Sequence, residues 1–175
     1  LFFSQLKNFR YSLINQGFQV EEVTLDQPVP ENVDVLVLSD LKSSLTAEEF
    51  ANYNAFVERG GNLIVLGEPK RQAYMNPLVE VLGLRFVDGI LVAPSKQYLD
   101  DIIAARITEG ALNASLYFNQ LIRRGYTVIT PSACAVEVVD TTKGFKISEV
   151  LATNPQGSWI EYETTDFLNE KSTIN

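Results

Sequence analysis

The sequence contains no histidine, and among its 175 residues there is one cysteine, one methionine and one tryptophan. Without histidine there is no Ser-His-Asp or Cys-His machinery, no histidine-ligated zinc and no imidazole pH switch. Cys134 as the sole thiol excludes an internal disulfide and a cysteine-only metal site. Flanked by Ala133 and Ala135 and next to Val136, it reads as a small buried hydrophobe. An activated thiol needs an electropositive setting and a base, and its neighbours offer neither. No GxGxxG or GxxxxGK[ST] occurs, so phosphate-cradling loops have no signature here. Serine chemistry with a lysine base is open only through Ser43 and Ser44 near Lys42, which lack a nucleophile elbow.

Basic clusters are missing too. Arg123-Arg124 and Lys70-Arg71 are isolated pairs in a chain of net charge −8. Like charges repel at encounter distance, which argues against nucleic acid and against non-specific binding to anionic membranes. No run approaches the roughly 18–20 apolar residues that cross a bilayer, and no basic-then-apolar leader opens the chain. This segment is therefore expected not to insert into a membrane. It starts at Leu1 and not at Met, so the expectation is a trimmed piece of a longer protein, with room for localisation signals and membrane spans outside it.

What is present is ordinary globular material, 46% hydrophobic and 21% charged, long enough for one domain over residues 1–175. The stretch 46–67, TAEEFANYNAFVERGGNLIVLG, is the most legible. Thr46 and Glu49 form a capping box, Leu45 and Phe50 take the staple positions, and Phe50, Tyr53, Phe56 and Val57 line one face. Gly60-Gly61 supplies a left-handed exit, and 62–66 is a continuous apolar strand. VDVLVLSD (33–40) is a matching strand upstream, with the branched aliphatics of a parallel strand covered on both faces. Strand, helix, strand in this order implies a right-handed crossover.

Elsewhere the spacing of Phe2, Leu6, Phe9 and Leu13 predicts a helix over 2–16, and alternation over 19–25 predicts an edge strand. A helix is expected at 76–82 and another at 115–124. Residues 84–94 read as a short strand or a hairpin turning at Asp88-Gly89, while 97–113 fits helix or strand equally. Strands are expected at 127–130, 134–139 and 147–153. Alternating strands and helices in the first half predict an α/β sandwich with a mostly parallel sheet. The chain opens on a helix, so the strand that normally opens such a sheet is expected to be absent or replaced by a later segment.

Open α/β sheets bind ligands beyond the carboxyl ends of their strands. Those ends carry Ser39 and Asp40, Gly67 and Glu68 with Lys70 and Arg71, and Thr130-Pro131-Ser132. They are the polar types that orient a small polar ligand, and Asp40 with Glu68 would make a carboxylate pair. Against this, strand ends always finish in polar loop residues. Gly60-Gly61 follows its helix and so is a C-cap, not a phosphate loop. The acidic groups Glu161, Glu163, Asp166 and Glu21, Glu22, Asp26 lack the glycine-turned donor pattern of a calcium loop and read as solvated faces. No metal and no cofactor is implied. Trp159 reads as a recognition aromatic or, the favoured reading, as an anchor for the tail, since large aromatics mostly bury area.

Four stretches carry a family resemblance: SQLKNFRYSLINQGFQVEEVTL, VDVLVLSD, LTAEEFANYNAFVERGGNLIVLGEP and VLATNPQGSWIE. Together they resemble the extracytoplasmic domain of gliding-motility-type auxiliary subunits of ABC transporters, a group of uncharacterised ABC-type transport system proteins. The part over 33–68 is also similar to class I glutamine amidotransferase-like domains and their non-catalytic relatives. The resemblance implies a three-layer, flavodoxin- or amidotransferase-like fold and a non-enzymatic binding or scaffold domain. It also implies the periplasmic face of the cytoplasmic membrane, anchoring by flanking segments, and permease and ATPase subunits as partners. Catalytic amidotransferase relatives place a cysteine on an elbow with a histidine partner, where this chain has Gly67-Glu68 and no histidine. The competing expectation is a hydrolase or carbohydrate-active enzyme using Asp40 and Glu68 as acid and base, with carboxyls roughly 5–9.5 Å apart. A third is an oligomerisation module with a large apolar patch.

Overall fold

The computed structural model describes residues 13–39 and 41–162. Two compact units cluster within the chain, Leu1–Leu36 with Leu45–Leu63, and Val37–Ser44 with Ile64–Asn175. The first begins, among the described residues, with a 3-10 turn, Ile14–Gln16, closed by Gly17 at φ 88°. Most of the helix expected over 2–16 lies outside the described residues. The edge strand expected over 19–25 does not form, and this stretch is irregular. Its backbone is used singly instead: the Leu25 carbonyl accepts from Asn52 Nδ2 at 2.9 Å.

Strand β1 (Val35–Ser39), helix α1 (Ala47–Glu58) and strand β2 (Asn62–Leu66) form where the sequence places them. The capping box is complete, Glu49 N–H donating to Thr46 Oγ1 and Thr46 N–H to Glu49 Oε2. Tyr53 and Phe56 are the buried face of α1, and Phe50 stacks on Tyr53 with ring centroids 6.0 Å apart. Gly61 follows because a Cβ there would stand 2.3 Å from the Phe56 ring. The Asn62 N–H donates to the Asp34 carbonyl at 3.1 Å, so β1 and β2 start side by side and this pair is parallel. Coverage on both faces, however, is not observed among the described residues. Leu36 and Leu38 are buried while Val35, Val37, Ile64 and Leu66 are exposed.

The expected mostly parallel, flavodoxin-like sheet is corrected by the second unit. The fold is mixed α/β with small, mostly antiparallel sheets. Helix α2 (Gln72–Glu80) begins a turn earlier than the expected 76–82, because Gln72 and Met75 are drawn into the core with Leu78 and Val79. Asn76 fastens it to β3 (Leu84–Phe86): its Nδ2 donates to the Phe86 carbonyl and its Oδ1 accepts from Phe86 N–H. β4 (Ile90–Val92) does not turn back on β3 as a hairpin. Each recruits a C-terminal partner, β3 pairing with β7 (Val136–Val138) and β4 with β9 (Trp159–Glu161). Gly89 permits this, since a Cβ there would meet the Glu161 carbonyl at 2.6 Å.

The undecided stretch 97–113 resolves as β5 (Ile102–Ile107) followed by a 3-10 segment, Glu109–Asn113. β5 lies between β6 (Thr127–Pro131) and β8 (Leu151–Ala152), antiparallel to both. Its Ile103, Ala105 and Ile107 are buried while Ala104 and Arg106 face out. That alternation is the pattern of antiparallel sheets with one covered face, whereas doubly covered parallel strands are apolar throughout. Helix α3 (Phe118–Arg123) is shorter than the expected 115–124 and has no buried residue. Trp159 packs on Ile90 and Val92, as the anchor reading holds.

Candidate functional site

The polar residues singled out at the strand ends fall in the second unit. Ser39 closes β1, and Gly67 and Glu68 follow β2. Asp40 lies outside the described residues, so the Asp40–Glu68 pair has no measured separation. The turn after β2 is closed by Arg71 N–H donating to the Glu68 carbonyl at 3.0 Å. Lys70 sits inside that turn at φ 66°, a left-handed conformation that costs a non-glycine residue roughly 1 kcal/mol. Ser39, Glu68 and Lys70 are all exposed.

Gly67 is fixed by packing. A Cβ there would stand 2.5 Å from the Phe86 ring and 3.0 Å from Cys134 Sγ. This contact brings Cys134 to the strand end, a neighbour that no local pattern announces because 66 residues of chain intervene. The thiol is half-buried, and burial pushes its pKa up, with the Glu68 carboxylate adding to the rise. The backbone hydrogen bond opposes that shift without reversing it. A thiol held protonated beside an anion is a poor nucleophile. Cys134 is therefore part of the packing beneath the strand end.

Thr130 and Ser132, the other strand-end polar pair, are turned towards β5. Thr130 Oγ1 donates to the Ile103 carbonyl, and Ser132, at φ 47°, donates from both N–H and Oγ to Asp101. Asp101 Oδ1 is buried without a partner. These residues stitch β6 to the start of β5.

Two depressions are lined by other residues. One of about 320 Å³ opens at the beginning of β1 and β2, lined by Glu31, Asp34, Arg59 and Asn62 among others. Its cation is engaged: Arg59 donates to the Val29 and Pro30 carbonyls at 2.8 and 2.7 Å and lies 4.9 Å over the Phe56 ring. The other, of about 140 Å³, is bordered by Pro94, Tyr98, Ile103 and Asn154. Of the acidic groups, Glu161 is fully buried beside Trp159, whose Nε1 donates to it at 3.4 Å. Glu163 and Asp166 lie outside the described residues. Among the described residues no three carboxylate or thiol side chains are placed to hold a metal ion, and no helix is long and apolar enough to cross a membrane. Chemically, the strand ends carry one hydroxyl, one carboxylate and one ammonium at exposed positions, Ser39, Glu68 and Lys70.

Comparison with known structures finds the mmIFT52 N-terminal domain, at 15% identity and TM-score 0.61. The match covers 90% of this chain and 67% of that one, and at this identity it speaks to the fold alone. Among curated proteins no sequence matches. A family model described as ABC-type uncharacterized transport system matches residues 1–99, more than half of the chain. The chain belongs to that family of ABC-type uncharacterized transport system proteins.

Proposed function

We propose that this chain is a non-enzymatic binding or scaffold domain of an ABC-type transport complex, of the kind that serves gliding motility. In this reading it is displayed on the periplasmic face of the cytoplasmic membrane and anchored by segments beyond these residues. Permease and ATPase subunits are its partners, and a small polar ligand at Ser39, Gly67, Glu68 and Lys70 is secondary. The family match over residues 1–99 carries the reading. The chemistry of the strand end supports it, because its thiol is pushed towards the protonated form and its carboxylate is exposed.

The test is affinity purification of the full-length protein, tagged at its chromosomal locus, from detergent-solubilised membranes. The expected outcome is co-recovery of a permease and an ATPase subunit. Recovery of the protein alone from the soluble fraction would overturn the proposal. The hydrolase reading makes a different demand: Glu68→Gln must abolish a measurable hydrolytic activity of the intact protein.

A further inference from the structure

Charge in this chain is strongly segregated. All 22 acidic residues lie outside the stretch from Gly110 to Val136, whose only ionic side chains are Arg123 and Arg124. Within that stretch the second unit exposes Leu116 at 81% and Tyr117 at 67%, with Tyr126, Val128, Ile129 and Val136 also open. The turns leading into α3 set these groups on one face. Backbone bonds from Phe118 to Ser115, Asn119 to Leu116 and Gln120 to Tyr117 continue into Arg124 to Gln120. The first three bonds are of the tighter 3-10 kind and the last is α-helical, so after two turns Arg123 falls within about 40° of Leu116, and Arg124 likewise of Tyr117. Phe118, Leu121 and Ile122 form the opposite, half-buried face.

We infer that this face, Leu116, Tyr117, Arg123 and Arg124 with Tyr126 beside them, rests on a lipid surface carrying anionic headgroups. Among the described residues, the most exposed apolar side chains of the unit, Leu116 and Tyr117, project outward here. A protein partner would need a matching pocket for each, whereas an acyl–headgroup boundary accepts protruding Leu and Tyr without one. Acidic residues do reach the stretch in space, Glu149 at Gly110 and Asp101 at Ser132, while the arginine pair supplies the complementary charge at the face itself. The net charge of −8 does not oppose this, because remote carboxylates are screened beyond about 8 Å at physiological ionic strength. The contact is shallow and separate from the strand-end residues, and it does not depend on the identity of any transport partner.

The experiment is co-sedimentation of the 175-residue chain with phosphatidylcholine vesicles, with and without phosphatidylglycerol. Binding is expected only when phosphatidylglycerol is present, and it should weaken with added salt. Replacing both arginines (Arg123→Gln, Arg124→Gln) should reduce partitioning about fivefold per residue, roughly 25-fold in all. Leu116→Ser with Tyr117→Ser should also release the protein, and all four side chains are exposed enough to change without unfolding it, which circular dichroism checks. Equal sedimentation with both vesicle types, or none, overturns the inference. So does binding unaffected by the arginine substitutions. Sedimentation velocity showing a dimer that the Leu116 and Tyr117 changes dissolve would assign the face to a second copy, and would overturn it equally.

Discussion

At the residue scale, the strand end shows how one glycine can be dictated by neighbours far away in sequence. Gly67 looks like an ordinary loop glycine, and its φ is not left-handed. Its reason is the Phe86 ring and Cys134 Sγ pressed against its Cα. Gly67→Ala should therefore overpack the site and lower stability by about 1–3 kcal/mol, measured by urea denaturation. An unchanged midpoint would show that the ring can move aside. Tyr53 gives a pH prediction with a definite sign. It is fully buried on α1, and burial raises its phenol from 10.0 to about 12. The folded chain thus holds the proton more tightly than the unfolded one. Stability from this group is complete below pH 10 and is lost as pH rises from 10 to 12, by at most roughly 3 kcal/mol. Tyr53→Phe should flatten that alkaline loss in pH-dependent denaturation, and an identical slope would refute the assignment.

At the element scale, the sequence is most reliable where every signal agrees. α1 has a cap, a staple, an apolar face and a glycine exit, and it forms over Ala47–Glu58 with its capping box intact. The stretch 97–113 shows the opposite case. Ile and Thr extend or coil according to what lies beside them, and here β6 and β8 make the decision by flanking β5. The hairpin reading of 84–94 fails for the same reason, since β3 and β4 find better partners in β7 and β9. This ordering predicts hydrogen exchange. β5, paired on both edges with Ile103, Ala105 and Ile107 buried, should exchange most slowly among the strands of its unit. β7, with all three residues exposed, should exchange fast. Exchange mass spectrometry finding β7 better protected than β5 would contradict this arrangement.

At the scale of the whole molecule, composition removed histidine chemistry, disulfides and spanning helices before any coordinate was needed. These conclusions depend only on which side chains exist, and the family, too, is carried by linear pattern over residues 1–99. Net charge is a sum that does not say where the carboxylates are absent, so the expectation against anionic membranes drawn from it is what the vesicle experiment tests. Strand direction, the Gly67–Phe86–Cys134 contact and the exposed Leu116–Arg124 face were decided by tertiary structure alone. A strand's own residues specify alternation or continuity, but its direction depends on partners distant in the chain. Burial works the same way: a side chain becomes core or contact surface only when a second segment arrives, or fails to arrive, to cover it.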